Sequence, residues 1–220
     1  MTGLPALYLP SRAKLNLVLR ILGRRDDGYH QLESLFHTLD LHDDVVVEYD
    51  ADSSGVSIAV TANHERLLVP DDERNLAVKA LIALRQELGS RAIGGLHIRL
   101  HKRIPNGGGL GGGSSNAAAV LRLANAILAK DPSSSNASGG VLSDSQLAAI
   151  GEQLGADVPF FLRGGTQWGR GIGTELTEAG SLSGHFVLLV PVYGCDTAEV
   201  YKKHASSWCP TEQIGSIDSI

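Results

Sequence analysis

The sequence predicts an α+β fold, in which a group of β-strands is followed by helices. Residues 11–22 alternate between polar and apolar side chains, which is the period of a half-buried strand. Further strand patterns follow in succession up to residue 60, so we expect an antiparallel sheet. Residues 117–129 are rich in alanine and leucine at helical spacing. Strands followed by helices in this order indicate the α+β class.

Two polar side chains of the first strand share one face. Because successive residues of a strand point to opposite faces, Lys14 and Asn16 point together, away from Leu15 and Leu17. Polar groups that converge in this way can form part of a binding site. The spacing alone, however, favours a half-exposed strand whose polar face is solvated.

Turn and capping residues delimit the other elements. Asp26-Asp27-Gly28 predicts a turn after the first strand. Asn75 is a good N-cap and Gly89 a typical C-terminal residue for a helix at 76–88. Ser143 is the expected cap of a shorter helix. The other expected elements are strands at 29–39, 45–48, 55–60 and 95–101, a helix at 143–154, a strand with tight turns at 164–173, and a buried strand at 186–190.

A glycine-rich loop joins the strand at 95–101 to the following helix. The loop runs from Pro105 to Ser115 and reads PNGGGLGGGSS, and Ser114 or Ser115 is the expected helix cap. Unpaired N–H groups and the positive end of the helix dipole meet there, which favours an anion such as a nucleotide phosphate. Lys102 precedes the loop, so its ammonium group either contacts phosphate oxygens or lies on the surface.

Other interpretations of the loop are weaker. It is not a Walker loop, because no Gly-Lys-Ser/Thr sequence closes it. A G-x-G-x-x-G match begins at Gly107, but among so many glycines it has little weight. A flexible linker is disfavoured because the loop runs directly into a strong helix pattern. Residues 131–140, by contrast, are of low complexity and predict a flexible insert.

Asp157 is a second candidate for chemistry. It lies between small and large apolar residues in the segment 155–162. A buried carboxylate without a partner is strongly disfavoured, so Asp157 either caps a helix or faces a polar site. Its position alone favours the cap.

Composition argues against several classes of protein. The 220 residues carry a formal net charge of −5, whereas nucleic-acid-binding proteins usually present a basic face. The 2 cysteines are too few for a disulfide framework or a cysteine metal site. No apolar run is long enough for a transmembrane helix, and the N-terminus lacks the layout of a signal peptide. We therefore expect a cytoplasmic protein with no nucleic-acid or membrane partner.

The glycine-rich loop resembles the phosphate loop of the galactokinase, homoserine kinase, mevalonate kinase and phosphomevalonate kinase superfamily. The segments AKLNL at 13–17, GRRDDGYH at 23–30 and GADVPFFL at 155–162 resemble a member that acts on a diphosphocytidyl substrate. The resemblance implies a two-domain α+β kinase fold. A ribosomal S5 domain 2-like domain is expected at 1–165, and the start of a ferredoxin-like domain at 166–220.

The resemblance also implies roles for individual residues, with ATP and Mg²⁺ as cofactors and a monomer or weak homodimer as the oligomeric state. Lys14 and Asp157 match the catalytic pair of the superfamily. The implied ATP-binding residues are Pro105, Asn106, Gly107, Gly108, Gly109, Leu110, Gly111, Gly112, Gly113, Ser114 and Ser115. The implied substrate-binding residues are Asn16, Tyr29, His30, Thr197 and Tyr201.

Two alternative functions remain open at this point. A kinase for homoserine or mevalonate is disfavoured by Gly28-Tyr29-His30, because those substrates have no base for an aromatic ring to stack on. The other alternative is a nucleotide-binding remnant without catalysis. The chain reaches Ile220 without a further glycine-rich motif that the resemblance implies, so we expect it to be incomplete at the C-terminus. This supports the remnant, whereas Lys14 and Asp157 oppose it.

Overall fold

The computed structural model describes residues 6–26, 28, 30–89, 94–130 and 142–190. The expected insert at 131–140 and the predicted site residues Tyr29, Thr197 and Tyr201 lie outside the described residues. The elements are β1 (Ala6–Arg24), β2 (His30–Asp50), β3 (Val56–Ala62), α1 (Leu76–Leu88), β4 (Gly95–Lys102), α2 (Gly112–Leu128), α3 (Asp144–Leu154), α4 (Val158–Arg163), β5 (Thr166–Arg170) and β6 (Glu175–Glu178). A single 3-10 turn, Glu65–Leu67, follows β3.

The strand β2 is the centre of a mixed, six-stranded sheet. On one side β1 pairs antiparallel with it along nearly its whole length. On the other side the first half of β2 pairs with β5 and the second half with β4, both antiparallel. The strand β3 lies parallel to β4, and β6 pairs antiparallel with β5. The expected antiparallel sheet is therefore largely confirmed, with one parallel pair around the α1 crossover.

Residues 29–39 and 45–48 were expected to form separate strands, and this prediction was wrong. Residues 30–39 and 45–48 belong to one strand of 21 residues, His30–Asp50. The acidic residues Asp43 and Asp44 suggest a break, yet Asp43 is fully buried because Lys102 and backbone N–H groups pair with its carboxylate. Register shifts in β1, on either side of Lys14 and beyond, let the partner strand follow this long strand.

The helices pack on one face of the sheet and enclose the main core. Alternate residues of β4, namely Leu96, Ile98 and Leu100, are almost completely buried against them. The helix α2 contributes a broad apolar surface, which explains its high alanine content: small side chains let α1, α3, α4 and the sheet approach it closely. Among the described residues, no helix is both long enough and apolar enough to cross a membrane.

Capping residues define α1 and α3 as predicted. The Asn75 side chain accepts a hydrogen bond from the Ala77 N–H, and Gly89, with φ of 74°, ends α1. Ser143 and Gln146 form a capping box at the start of α3.

The segment after α4 differs in part from the prediction. Residues 164–173 contain β5 and a turn, as expected, and β6 follows. The apolar run 186–190 was expected to be a buried strand, and this was wrong: it has no regular structure, and Val187 and Leu189 are each 90% exposed. An apolar run becomes a buried strand only where another strand offers it backbone partners. The domain boundary at 165 stays a prediction, although β5 and β6 lie in the same sheet as β1–β4.

An ion-pair cluster on the outer face connects β1, β2 and β4. Arg103 Nη2 donates to Asp44 Oδ2 at 2.5 Å, and Tyr8 Oη donates to Asp44 Oδ1 at 2.9 Å. Partial burial alone would raise the pKa of the Asp44 carboxyl, but the hydrogen bonds from Arg103 and Tyr8 outweigh it and hold the pKa below its usual value. The same contact with Asp44 raises the pKa of the Tyr8 phenol.

We expect Asn75→Ala to lower the free energy of unfolding by about 1 kcal/mol, because α1 loses its N-cap acceptor. Urea denaturation measures this change. Asn75→Ser is the matched control, because it loses the amide bond to the Pro70 carbonyl oxygen as alanine does but keeps a capping oxygen, so it should retain more of the stability. Equal losses in both variants would contradict the capping role.

We expect Asp44→Asn to remove a stabilisation that depends on pH. A carboxyl whose pKa is depressed in the folded state stabilises that state above its unfolded pKa, here 3.8, and this stabilisation disappears as the pH falls through the lower folded value. The difference in free energy of unfolding between the two proteins should therefore be larger at pH 7 than at pH 3. A difference that does not change with pH would contradict this expectation.

Candidate active site

The glycine-rich loop leads into α2 through three left-handed glycines. Gly107, Gly109 and Gly111 have φ values of 70°, 69° and 71°. The helix begins at Gly112, with Gly111 as its N-cap and no capping side chain. The expected cap at Ser114 or Ser115 was therefore wrong. The left-handed glycine turns the chain into the helix without a cap, and the first N–H groups of α2 are left without a helical acceptor.

The two serines of the loop point in different directions. Ser115 is buried, and its hydroxyl accepts a hydrogen bond from Ser11 Oγ at 2.7 Å. Ser114 is only half-buried, and its Oγ lies 3.9 Å from the position that a Cβ on Gly155 would occupy. The first turn of α2 thus lies beside the segment that carries Asp157.

The strand β1 contacts the loop directly through Lys14. The Lys14 N–H donates to the Leu110 carbonyl oxygen at 3.0 Å. A Cβ on Gly111 would lie 2.7 Å from the ring of Phe161 and 3.1 Å from Lys14 Cγ. Only glycine fits this position, because it needs both the left-handed φ and the missing Cβ. The loop therefore lies against β1 and α4 at the same point.

Lys14 and Asp157 face each other beside this contact, as predicted for a polar site. Lys14 Nζ lies 3.5 Å from Asp157 Oδ2. The Lys14 side chain is 7% exposed, whereas that of Asp157 is 34% exposed. Asp157 directly precedes α4 but makes no capping hydrogen bond with its side chain. The expectation that it caps a helix was wrong, because the carboxylate turns toward the lysine.

Side chains of β1 and β2 hold the Lys14 ammonium group. Lys14 Nζ donates to Asn16 Oδ1 at 2.5 Å, and Asn16 Nδ2 donates to Ser34 Oγ at 2.7 Å. Ser34 Oγ in turn donates to the Val18 carbonyl oxygen at 2.7 Å. The ammonium also lies 5.2 Å from the centre of the Phe36 ring, within cation–π range. The predicted convergence of Lys14 and Asn16 is therefore confirmed.

Sequence reasoning missed Ser34 and Phe36 as parts of this site. Ser34, Phe36 and His30 are separated by even numbers of positions along β2, so their side chains share one face of the strand. This period-2 spacing was the signal that could have identified them. His30, a predicted substrate-binding residue, begins β2 at the far end of the same face.

The loop-flanking Lys102 is buried, so the expectation of a surface lysine was wrong, whereas its contact with phosphate oxygens stays a prediction. It is 1% exposed, and its Nζ donates to Asp43 Oδ2 at 2.5 Å. The ammonium group lies 3.2 Å from the position that a Cβ on Gly112, the first residue of α2, would occupy. Its pairing partner lies on β2, too far along the chain for sequence spacing to reveal it.

The described residues offer Mg²⁺ no protein cage. Across 6–26, 28, 30–89, 94–130 and 142–190 there is no group of three or more His, Cys, Asp or Glu that could hold a metal ion. Asn116, the fifth residue of α2, donates a hydrogen bond from its amide to Asp43 Oδ2, and its Oδ1 lies 3.4 Å from Lys102 Nζ. With its acceptor beside a cation and its donors in use, Asn116 does not suit a metal ligand.

Comparison with known proteins finds similar kinases. Residues 75–165 match the family described as GHMP kinases N terminal domain, the superfamily that the phosphate loop resembles. The 4-diphosphocytidyl-2-C-methyl-D-erythritol kinase of Marinobacter nauticus is 40% identical over 198 residues, which are 90% of this chain and 63% of that protein. The chain spans less than two thirds of the length of the curated relatives that it matches first.

Solved structures of such kinases are similar to this chain as well. A crystal structure of 4-(cytidine 5'-diphospho)-2C-methyl-D-erythritol kinase matches with a TM-score of 0.57 and 39% identity, covering 78% of this chain and 54% of that one. Homoserine kinase from Cytophaga hutchinsonii matches in fold, with a TM-score of 0.53 and 21% identity over 74% of this chain and 48% of that one. The chain therefore has the α+β fold seen in the GHMP kinases, and its residues 75–165 are similar to the N-terminal domain of that family.

Proposed function

We propose that the chain transfers the γ-phosphate of ATP to the 2-hydroxyl of 4-diphosphocytidyl-2-C-methyl-D-erythritol, a step of the non-mevalonate isoprenoid pathway. The observation that carries this proposal is the Lys14–Asp157 pair, 3.5 Å apart, beside the glycine-rich loop and the uncapped start of α2. The names of the relatives that are about 40% identical over most of this chain support the choice of substrate.

The loop and the helix would hold the phosphates. The N–H groups of Gly112, Gly113 and Ser114 have no acceptor within α2, and the positive end of the helix dipole favours negative charge at the same place. The exposed loop residues 106–109 carry no bulky side chain except Asn106, so phosphate oxygens can approach the backbone closely. Phosphoryl transfer depends mainly on such positioning and charge stabilisation.

Asp157 and Lys14 would act on the acceptor hydroxyl. The Asp157 carboxylate takes the hydroxyl proton as the oxygen attacks the γ-phosphorus; the new O–P bond forms while the bond to the β-phosphate oxygen breaks, and ADP leaves. Lys14 stabilises the negative charge that spreads over the transferring group. Asn16, Ser34 and Phe36 fix the ammonium group, which lowers the cost of orienting it during the reaction.

The remaining assignments are also proposals. We assign base recognition to Tyr29, His30 and Tyr201, and a further substrate contact to Thr197. Mg²⁺ is proposed to enter on the phosphates of ATP, since the described residues form no cage for it. A cytoplasmic location and a monomer or weak homodimer complete the proposal.

A direct test measures ADP release and product mass for the 220-residue chain with ATP, Mg²⁺ and the diphosphocytidyl substrate, next to isothermal titration calorimetry with ATP. We expect ATP binding and a product that is heavier by one phosphoryl group. ATP binding without any product would favour the non-catalytic nucleotide-binding alternative, and failure to bind ATP would contradict the proposal.

We expect Asp157→Asn to lower kcat by about 100-fold to 10,000-fold, the range of a positioned general base, while KM for ATP changes little. Steady-state kinetics measures both constants. Asp144→Asn, on the exposed first turn of α3, is the matched control and should leave them unchanged. An unaltered kcat in Asp157→Asn would reject the assignment of the base.

We expect His30→Ala to raise KM for the diphosphocytidyl substrate and to spare KM for ATP, because an imidazole at the edge of the base contributes only to substrate binding. Kinetics with each substrate varied in turn measures the two constants. Equal effects on both would reject base recognition by His30.

A further inference from the structure

We infer that Asp43 is a positioning residue that fastens both ends of the glycine-rich loop and thereby sets the geometry of the ATP phosphate cradle. The inference rests on the proposed ATP-dependent function. Asp43 lies on β2, outside the motifs that indicate kinase chemistry, and its side chain is 0% exposed.

The entry of the loop is bound to one carboxylate oxygen. Asp43 Oδ1 accepts the Arg103 N–H at 2.6 Å and the Ile104 N–H at 2.8 Å. These two backbone groups immediately precede Pro105, where the glycine-rich loop begins. Two adjacent N–H groups on one oxygen fix both the position and the direction of the chain at this point.

The exit of the loop is bound to the other oxygen. Asp43 Oδ2 accepts Asn116 Nδ2 at 2.9 Å and Lys102 Nζ at 2.5 Å. Asn116 is the fifth residue of α2 and also donates to Ser11 Oγ at 2.9 Å, which connects the start of the helix to β1. A Cβ on Gly112 would lie 3.2 Å from Lys102 Nζ, so the ammonium group lies directly under the start of the helix.

Burial makes this junction rigid. Asp43, Lys102 and Asn116 are 0%, 1% and 2% exposed, so water does not compete for their hydrogen bonds. The four bonds use all the acceptor positions that a carboxylate offers. A buried ion pair is not in general more stabilising than apolar residues of the same volume, so the benefit we assign to this one is geometric.

The loop itself needs such fixation. Between its two ends, residues 106–109 are exposed, and two of them are glycines in the left-handed region. Glycine leaves the chain more freedom than any other residue. A loop that is fixed at both ends to one buried group loses this freedom before ATP binds, so less entropy is lost on binding.

The test uses Asp43→Ala combined with Lys102→Met in the 220-residue chain, which removes the carboxylate without leaving its ammonium partner buried and unpaired. Hydrogen exchange is followed by mass spectrometry, and the Kd for ATP by calorimetry. The diagnostic amide is that of Ser115, which donates to the Gly111 carbonyl at 2.9 Å and has no bond to Asp43. We expect faster exchange at this amide, with α1 and β3 unchanged.

We also expect the Kd for ATP to rise at least about tenfold, the order of one lost hydrogen bond to a charged group. Glu48→Gln is the matched control, because it removes the charge from the partly exposed Glu48–Arg99 pair between the same strands, β2 and β4, without contact to the loop. It should leave both measurements at wild-type values.

Asn116→Ala serves as a second variant that keeps the buried Asp43–Lys102 ion pair. It tests the inference about Asp43 if the double variant does not fold. We expect it to raise exchange at Ser115 and to raise the Kd for ATP about tenfold, the order of one lost hydrogen bond to a charged group, here the Asp43 carboxylate. Unchanged exchange at Ser115, or exchange that rises equally throughout the chain, would overturn the inference. If exchange at Ser115 is faster in the variants but the wild-type chain does not bind ATP, the fixation of the loop by Asp43 would be supported and the proposed function contradicted.

Discussion

The contact between β1 and the glycine-rich loop at Lys14 is the constraint on which the rest of the site depends. The Lys14 backbone binds the Leu110 carbonyl, and its side chain reaches Asp157 on the other side. Gly111 must be glycine because Lys14 and the Phe161 ring leave no space for a Cβ. The strand β1, the glycine-rich loop and α4 thus meet at Gly111. Their close approach brings together the Lys14 ammonium group, the Asp157 carboxylate and the N-terminus of α2.

Two ion pairs lie near the loop and differ in burial. The Asp43–Lys102 pair is buried, so its two charges neutralise each other away from solvent. The Lys14–Asp157 pair is partly open, since Asp157 keeps 34% of its side chain exposed while Lys14 is nearly enclosed. A buried pair suits a structural role because its geometry is fixed, and a partly open pair suits a reaction because a substrate can reach it.

The sequence predicts helix ends correctly where capping by neighbouring residues sets them. The helix α1 begins and ends as Asn75 and Gly89 indicate, because capping depends only on neighbouring residues. The start of α2 was misplaced, since a left-handed glycine replaces a capping serine. The exposed run 186–190 shows the same limit: apolar composition indicates a preference for burial, but burial also requires a partner surface.

By itself, the sequence determined the α+β class, the strand that carries Lys14 and Asn16, the glycine-rich loop and the candidacy of Asp157, because each depends on residue type and short-range spacing. Only the tertiary structure decided that Asp157 turns to Lys14 rather than capping α4, and that Lys102 is buried against Asp43. These pairs join residues that are 143 and 59 positions apart (157 − 14 and 102 − 43). The energy of a charged group depends on what folding places next to it, which local sequence patterns do not contain.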